Sequence, residues 1–251
     1  ILAAATLRAA PEGGQTVHGG ANIERAGHET TITTSTTNTI LRFDSFDLAA
    51  DESVRFVQPD AGARVLNKIA GSAPSRIDGS IWSNGTVYLV NPAGVMFGPD
   101  AVIDVAAFYA GAANLANDDF LHGVDRFDAT GSLVNAGTIN ADRVALVGRR
   151  VANLGAIHAP DGMIALAAGE NVMLSDRDRR IYIRIEGAQP DAQAPPAGPD
   201  ADAELDDAAI TNRGTIDAEG GAVSWGAGDI YAMGLRQTEA GSVRADRFHA
   251  E

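Results

Sequence analysis

Apolar positions in this sequence come in short runs that alternate with polar positions, and glycine or proline ends almost every run. The stretch 87–105, VYLVNPAGVMFGPDAVIDV, shows the pattern clearly. Its apolar runs are broken at 91–94 (Asn-Pro-Ala-Gly) and again at 98–100 (Gly-Pro-Asp). Proline fixes φ and lacks an amide donor, whereas glycine accepts turn conformations that other residues avoid. The pattern therefore predicts short strands joined by tight corners.

A seven-residue pattern, N-x-G-x-I-x-A, recurs along the second half of the chain. It occurs at 135–141, 153–159 and 212–218, with a weaker copy at 239–245. Asn and Gly suit a corner, and Ile and Ala at alternate positions suit a strand with one buried face. The repeat predicts a parallel β-solenoid in which each coil stacks the same residue above itself. The predicted corner residues are Asn135, Gly137, Asn153, Gly155, Asn212 and Gly214.

Two regions depart from this repeat. Residues 176–186 alternate Ile or Tyr with Arg, and 187–209 are rich in Pro, Ala and Asp, so 176–209 is expected to leave the coils. In the N-terminal third, antiparallel strands are expected to cap the unpaired edge of the first coil. Asn84 and Gly85 lie between apolar strands and predict a hairpin turn there.

These signals predict an all-β chain with one domain over residues 11–251. Residues 1–10 are expected to be the remnant of a removed signal peptide or an artificial tail. The expected parts of the domain are a cap with the first coils at 11–90, coils at 91–175, the excursion at 176–209 and further coils at 210–251.

Composition and charge exclude several classes of function. The net charge of −14 argues against a nucleic-acid partner, because phosphate binding needs a basic surface. No apolar run approaches the length of a membrane span, so no membrane insertion is expected. The chain has no cysteine, and its five histidines are scattered without metal-ligand spacing. We expect no metal and no cofactor.

The charged stretch SDRDRR at 175–180 leaves an alternative open. A carboxylate–arginine cluster on one solenoid face is where a carbohydrate-cleaving or carbohydrate-binding β-helix protein would have its site. A charged strand edge that discourages aggregation explains the same residues, and no acid–base pair or nucleophile is evident, so no enzymatic activity is expected. A filament subunit built of solenoids stacked end to end is a third possibility.

The order of residues 52–59 (ESVRFVQP), residues 65–115 and then the N-x-G-x-I coils resembles a known family. It is similar to the N-terminal secretion domain, or haemagglutination-activity domain, of two-partner-secretion (TPS) exoproteins. The similarity is greatest to the high-molecular-weight-adhesin branch of the filamentous haemagglutinin-like adhesins. The family motif is Asn-Pro-Asn-Gly followed by an aliphatic residue. Here it reads Asn91-Pro92-Ala93-Gly94-Val95, with Ala93 in place of the second Asn, and the upstream Asn-Pro-Asn-Leu motif is missing.

The resemblance implies a right-handed parallel β-helix with an N-terminal cap and an extra-helical β element. It also implies export through Sec and the periplasm, then through an Omp85-type outer-membrane β-barrel transporter (TpsB) whose POTRA domains recognise the extended chain. The domain would then fold at the surface of a Gram-negative-type bacterium and template a downstream passenger, as a monomer. Asn91, Pro92 and Gly94 would act as a recognition motif, although turn chemistry alone also explains these residue types.

Overall fold

The computed structural model describes residues 9–177, 180–186, 208–227, 235–237 and 242–250, and these are mainly strands. The elements of the first half are β1 (Gln15–His18), β2 (Ala21–Ala26), β3 (Glu29–Thr34), β4 (Asn38–Phe43), β5 (Ser53–Val57), β6 (Arg64–Ile69), β7 (Ser75–Ile77), β8 (Ser80–Val90), β9 (Val95–Phe97), β10 (Val102–Gly111), β11 (Ala113–Leu115) and α1 (Asn117–Leu121). Those of the second half are β12 (Asp125–Ala129), β13 (Ser132–Asn135), β14 (Thr138–Asn140), β15 (Arg143–Gly148), β16 (Arg150–Asn153), β17 (Ala156–His158), β18 (Met163–Ala168), β19 (Asn171–Arg177), β20 (Arg180–Glu186), β21 (Ile210–Asn212), β22 (Thr215–Ala227), β23 (Leu235–Gln237) and β24 (Ser242–Ala250). In the described ranges no helix has the length and apolar character needed to cross a membrane.

The strands form three sheets. A fourteen-stranded sheet and a six-stranded sheet share one apolar interior, and a four-stranded sheet lies outside them. The six-stranded sheet, in the order β7-β9-β13-β16-β21-β23, is parallel throughout. Each coil contributes one strand to it and then continues into the larger sheet: β13, β14 and β15 form one coil, and β16, β17 and β18 form the next. The result is a β-helix-type fold.

Parallel pairing in register stacks identical side chains in the interior. Ile103, Ile139, Ile157 and Ile216 occupy successive rungs of the larger sheet, and each is completely buried. Full burial of one such side chain stabilises the fold by about 1.5–3 kcal/mol. Because neighbouring residues in a strand point to opposite faces, this column also explains the period-two pattern of the sequence.

The antiparallel cap is confined to two strands. β1 pairs antiparallel with β4, and β2 pairs antiparallel with β3. The next pairings along the stack, β3 with β5 and β4 with β6, are already parallel. β1 and β2 therefore cover the N-terminal edge of the first coil.

The predicted hairpin at Asn84 and Gly85 is wrong. Both residues lie inside β8, whose partners β5, β6 and β10 all run parallel to it. The Asn84 side chain accepts a hydrogen bond from the Gln58 amide and donates one to the Gln58 carbonyl, both at 2.8 Å. A Cβ on Gly85 would lie 2.8 Å from the Ala63 carbonyl oxygen. The Asn-Gly pair thus forms a corner within β8, between the part that pairs with β5 and the part that pairs with β6. Its bonds go to the preceding coil, and β8 does not fold back on itself.

The element outside the coils has two parts, whereas the sequence predicted one. β11 and β12 leave the coils after β10, and β19 and β20 leave after β18. The four strands pair antiparallel in the order β11-β12-β19-β20, which we call the outer sheet. The excursion therefore begins at Asn171 instead of 176, and residues 113–129 belong to it although the sequence assigned them to the coils. Residues 1–8 of the predicted tail and 187–207 of the predicted excursion lie outside the described residues.

A second apolar cluster fills the space between the outer sheet and one face of the coils. The rings of Tyr88 and Tyr109, on adjacent rungs, stack with centroids 4.5 Å apart. Phe120 of α1 meets Tyr88 edge-on at 5.2 Å, and Phe127 of β12 is completely buried in the same cluster. The molecule thus has one core inside the coils and another beneath the outer sheet.

Candidate functional site

The turn at residues 91–94, which joins β8 to β9, carries the sequence motif. The Gly94 amide donates to the Asn91 carbonyl at 3.0 Å, which closes a four-residue turn. The Ala93 amide donates to Asn91 Oδ1, also at 3.0 Å. Gly94 has φ 129°, a conformation that other residues rarely adopt, and Pro92 restricts φ within the turn. Each of these three residue types therefore has a structural reason for its position.

Asn91 ties the turn to the preceding coil. Its side chain is completely buried, and Nδ2 donates to the Ala73 carbonyl and to Ser75 Oγ, both at 3.0 Å. Together with the bond from Ala93, both polar atoms of the Asn91 side chain are used within the domain. A partner that meets the folded domain has no access to this side chain.

The next coil closes over the turn from the other side. Thr130 Oγ1 donates to the Pro92 carbonyl at 2.7 Å. A Cβ on Gly131 would lie 2.8 Å from the same carbonyl oxygen and 2.8 Å from the Gly94 nitrogen, so only glycine allows this approach. Since Pro92 and Ala93 remain half-buried, the surface of the folded turn consists of their edges.

The corner repeat forms a ladder of buried asparagines. Asn135 Nδ2 donates to Asn153 Oδ1 at 2.8 Å, and Asn153 Nδ2 donates to Asn212 Oδ1 at 2.8 Å. All three side chains have zero exposure, and strand pairing places them in register. A hydrogen bond between buried amides avoids the cost of leaving a polar group unpaired.

The glycines of the repeat are needed for space instead of for left-handed geometry. None of Gly137, Gly155 and Gly214 has a positive φ. A Cβ on Gly155 would overlap the carbonyl oxygen of Gly137, and one on Gly214 would overlap that of Gly155. The backbones of successive coils therefore approach too closely at this corner for any side chain.

Residues 8–240 match the family described as the TPS secretion domain. The chain belongs to this family. Two curated relatives are Heme/hemopexin-binding proteins of Haemophilus influenzae. One is 33% identical over 195 residues, which cover 72% of this chain and 22% of the relative. The other is 34% identical over 106 residues, which cover 42% of this chain and 11% of the relative. The chain thus spans less than a quarter of the length of these relatives.

Two solved secretion domains share the fold. The crystal structure of the HMW1 secretion domain from Haemophilus influenzae superposes with a TM-score of 0.71 at 28% identity, over 86% of this chain and 56% of that one. The filamentous hemagglutinin secretion domain superposes with a TM-score of 0.55 at 17% identity, over 97% of both chains. The second likeness concerns the fold alone.

Sequence reasoning missed the polar contacts that join the outer sheet of this TPS domain to its coils. Tyr88 Oη donates to Asp125 Oδ1 at 3.0 Å. Arg64 Nη2 donates to the Phe120 carbonyl at 2.9 Å, and Lys68 Nζ donates to the Leu115 carbonyl at 2.8 Å. The available signal was a polar tip at outward positions of β6 and β8, and that pattern equally suits a solvated face.

Burial sets the ionisation of this contact region. Burial raises the pKa of the Asp125 carboxyl, although the Tyr88 hydrogen bond and the charge of Arg64 oppose the shift. Burial and the nearby Asp125 raise the pKa of Tyr109 to about 12, and burial also raises that of Tyr88. Burial lowers the pKa of Lys68. Both tyrosines are therefore neutral at neutral pH, and Tyr88 keeps the proton that it donates to Asp125.

The charged stretch at 175–180 contributes an ion pair. Asp176 Oδ2 accepts from Arg143 Nη1 at 2.9 Å, and both side chains are more than a third exposed. In the part of the chain that the structure describes, no group of three or more His, Asp or Glu side chains is placed to hold a metal ion. Two of the histidines lie near carboxylates. His28 Nδ1 is 2.9 Å from Asp51 Oδ2, and His158 Nδ1 is 4.0 Å from Asp217 Oδ2.

Proposed function

We propose that this domain is the export and folding signal of a longer adhesin-like exoprotein. The chain enters the periplasm through Sec, and the POTRA domains of an Omp85-type outer-membrane transporter bind it while it is extended. It then folds as a monomeric right-handed β-helix, secreted or held at the surface of a Gram-negative-type bacterium. Right-handed winding is the usual sense for parallel crossovers. The domain acts without a cofactor and without catalysis.

The observation that carries this proposal is the stack of coils in register, bonded at its corner by the asparagine ladder. In such a stack the contacts lie between neighbouring coils, so folding can start at one end and propagate. β1 and β2 cover the N-terminal edge, and β24 pairs with β22 at the other end of the described stack. Each added coil then offers a parallel edge to the next, which supports a role as template for a downstream passenger.

The burial of Asn91 supports recognition before folding. In the folded domain its side chain is bonded to Ala73, Ser75 and Ala93 and has no exposure. A transporter that reads Asn91, Pro92 and Gly94 must therefore bind the chain before this turn closes. The chain has no cysteine, so no disulfide hinders its passage through a pore in extended form.

The test is a release assay in cells that co-express the full exoprotein and its cognate transporter. We expect Asn91→Ala and Pro92→Ala to abolish release into the medium, measured by immunoblot of medium and periplasm. Both variants remove turn contacts as well as motif residues, so folding must be controlled separately.

Asn135→Ala supplies that control, because it also removes a buried, bonded asparagine but lies outside the motif. Urea unfolding of the three purified variants measures how far each is destabilised. A recognition role requires a greater loss of release for Asn91→Ala and Pro92→Ala than for Asn135→Ala at matched stability. If all three variants lose release equally, the turn acts in folding alone. If Asn91→Ala and Pro92→Ala are released as well as the wild type, the turn has no role in recognition.

A further inference from the structure

The outer sheet joins coils that do not neighbour one another. β12 follows β10 in the chain and β19 follows β18, and the strand β15 lies between β10 and β18 in the stack. β12 and β19 nevertheless pair directly, with Phe127 opposite Val172. The Ala129 amide also donates to the Glu170 carbonyl at 2.7 Å. This pairing connects two rungs across an intervening one.

The same element reaches back towards the N-terminus. β6 lies two rungs before β10, in the order β6-β8-β10. Arg64 and Lys68 of β6 donate to the main-chain carbonyls of Phe120 and Leu115, at 2.9 and 2.8 Å. Arg64 also lies over the Phe120 ring, 4.8 Å from its centroid. Segments about fifty residues apart in the chain are thereby held together.

Towards the C-terminus the outer sheet packs on later rungs. Arg143 of β15 donates to Asp176 of β19 at 2.9 Å. Gly169, directly after β18, leaves room for Ile185 of β20, because a Cβ there would overlap the Ile185 side chain. In these three bonds the cationic groups belong to β6 and β15, and their acceptors belong to α1, β11 and β19.

We propose that the outer sheet is a strap that makes the coils from β6 to β18 unfold as one unit. A solenoid with contacts between neighbouring coils alone opens rung by rung, whereas contacts across several rungs force those rungs to open together. If the chain emerges N-terminus first, the strap closes only after β18 has emerged, because β19 follows it in the chain. Until then the cluster around Tyr88, Tyr109 and Phe127 lacks its cover.

Closure of the strap after β18 makes folding of the exported segment hard to reverse. That role in export rests on the function proposed above, whereas the coupling between coils does not. Hydrogen exchange measures the coupling directly, because amides in one cooperative unit share a single opening reaction.

The experiment is hydrogen exchange with mass spectrometry on the purified full chain, comparing the wild type with Val172→Ala. Val172 of β19 is completely buried in the apolar cluster between the outer sheet and the coils. We expect exchange to accelerate by roughly 10-fold to 100-fold in the outer sheet and by the same factor in β6 and in β16 of the six-stranded sheet. Acceleration in the outer sheet alone would overturn the proposal.

Ile32→Ala is the matched control, since Ile32 is an equally buried core side chain in β3, beneath the cap. We expect faster exchange in β2 and β3 while β16 keeps its wild-type rate. Faster exchange in β16 would mean that the whole stack is cooperative without the strap, which also overturns the proposal. Tyr88→Phe removes a single hydroxyl and serves if Val172→Ala does not fold; it should give a smaller rise with the same uniform pattern. No transporter is needed, so failure here is distinct from failure of the release assay.

Discussion

Asparagine closes the corners of this TPS secretion domain in two ways. Asn135, Asn153 and Asn212 bond to one another from coil to coil. Asn84 and Asn91 instead bond to backbone groups of the preceding coil, at Gln58 and Ala73. In both arrangements the corner needs a short side chain that carries a donor and an acceptor, and asparagine supplies both.

The middle of the ladder gives the first prediction. Asn153→Ala removes the acceptor of Asn135 and the donor of Asn212, both in zero-exposure surroundings. We expect the free energy of unfolding in urea to fall by about 2–4 kcal/mol, since each unpaired buried group costs about 1–3 kcal/mol. Asn140→Ala, half-buried on the outward side of β14, is the control and should change stability by less than about 0.5 kcal/mol. Equal effects of the two substitutions would show that the ladder adds nothing.

Asp125 gives a prediction about pH. Burial raises its folded pKa above the ordinary value of 3.8, so the folded state binds the proton more tightly than the unfolded chain does. The resulting stabilisation is complete below the unfolded pKa and is lost as pH rises through the folded pKa. Asp125→Asn keeps an acceptor for Tyr88 and removes this loss. Relative to the variant, the wild type should therefore lose stability from pH 3.8 towards neutrality, measured by urea unfolding across pH.

Parallel pH profiles of the two proteins would contradict this assignment. The groups that act on Asp125 are Tyr88, Arg64, Arg143 and Asp176, and all of them remain in the variant. Asp47, whose pKa burial also raises, is likewise common to both proteins. The comparison therefore isolates the single carboxyl group.

At the scale of elements, glycine in the coils determines where β20 can lie. Ile185 packs over Gly169, whose position would not accept a Cβ without displacing that side chain. We expect Gly169→Val to weaken the docking of β20 by about 1–3 kcal/mol, the usual cost of overpacking. Amide exchange in residues 181–186 should rise, because the substitution displaces the Ile185 side chain through which β20 packs on the coils.

Tyr182 supplies the control for that prediction. It lies on the opposite face of β20 from Ile181 and Ile183, and it is 48% exposed. Tyr182→Ala should leave the exchange of residues 181–186 near its wild-type rate. Slow, unchanged exchange in Gly169→Val would show that β20 does not depend on this glycine.

Across the whole molecule, negative charges outnumber positive charges. A net charge of −14 on 251 residues produces self-repulsion in the compact state, which added salt screens. The ion pairs seen on the surface are mostly exposed and contribute little individually. We expect Tm to rise between about 0.02 M and about 0.5 M NaCl, measured by calorimetry. A fall in Tm would mean that attractive pairs outweigh the repulsion.

The coils and the turn at 91–94 can be predicted from the sequence because they depend on interactions between residues close together in the chain. The alternation of Ile139 with polar neighbours and the spacing of Asn135 and Asn153 follow directly from strand geometry and stacking. The sequence wrongly predicts a hairpin at Asn84 because an Asn-Gly pair suits any sharp corner. The direction of the next strand depends on a partner 26 residues away in the chain. Gly155 is required because two backbones approach closely there. In the sequence such a glycine looks the same as a glycine required by a turn.

Periodicity and turn chemistry act between near neighbours in the chain, so the order of residues is enough to predict stacked short strands with asparagine corners. Packing between distant segments is what takes β11 and β12 out of the coils and pairs β12 with β19. Both segments alternate apolar and polar residues as coil strands do, and the choice between stacking and pairing outside depends on which surface remains uncovered after the coils have formed. That surface is defined by Tyr88, Tyr109 and their neighbours acting together.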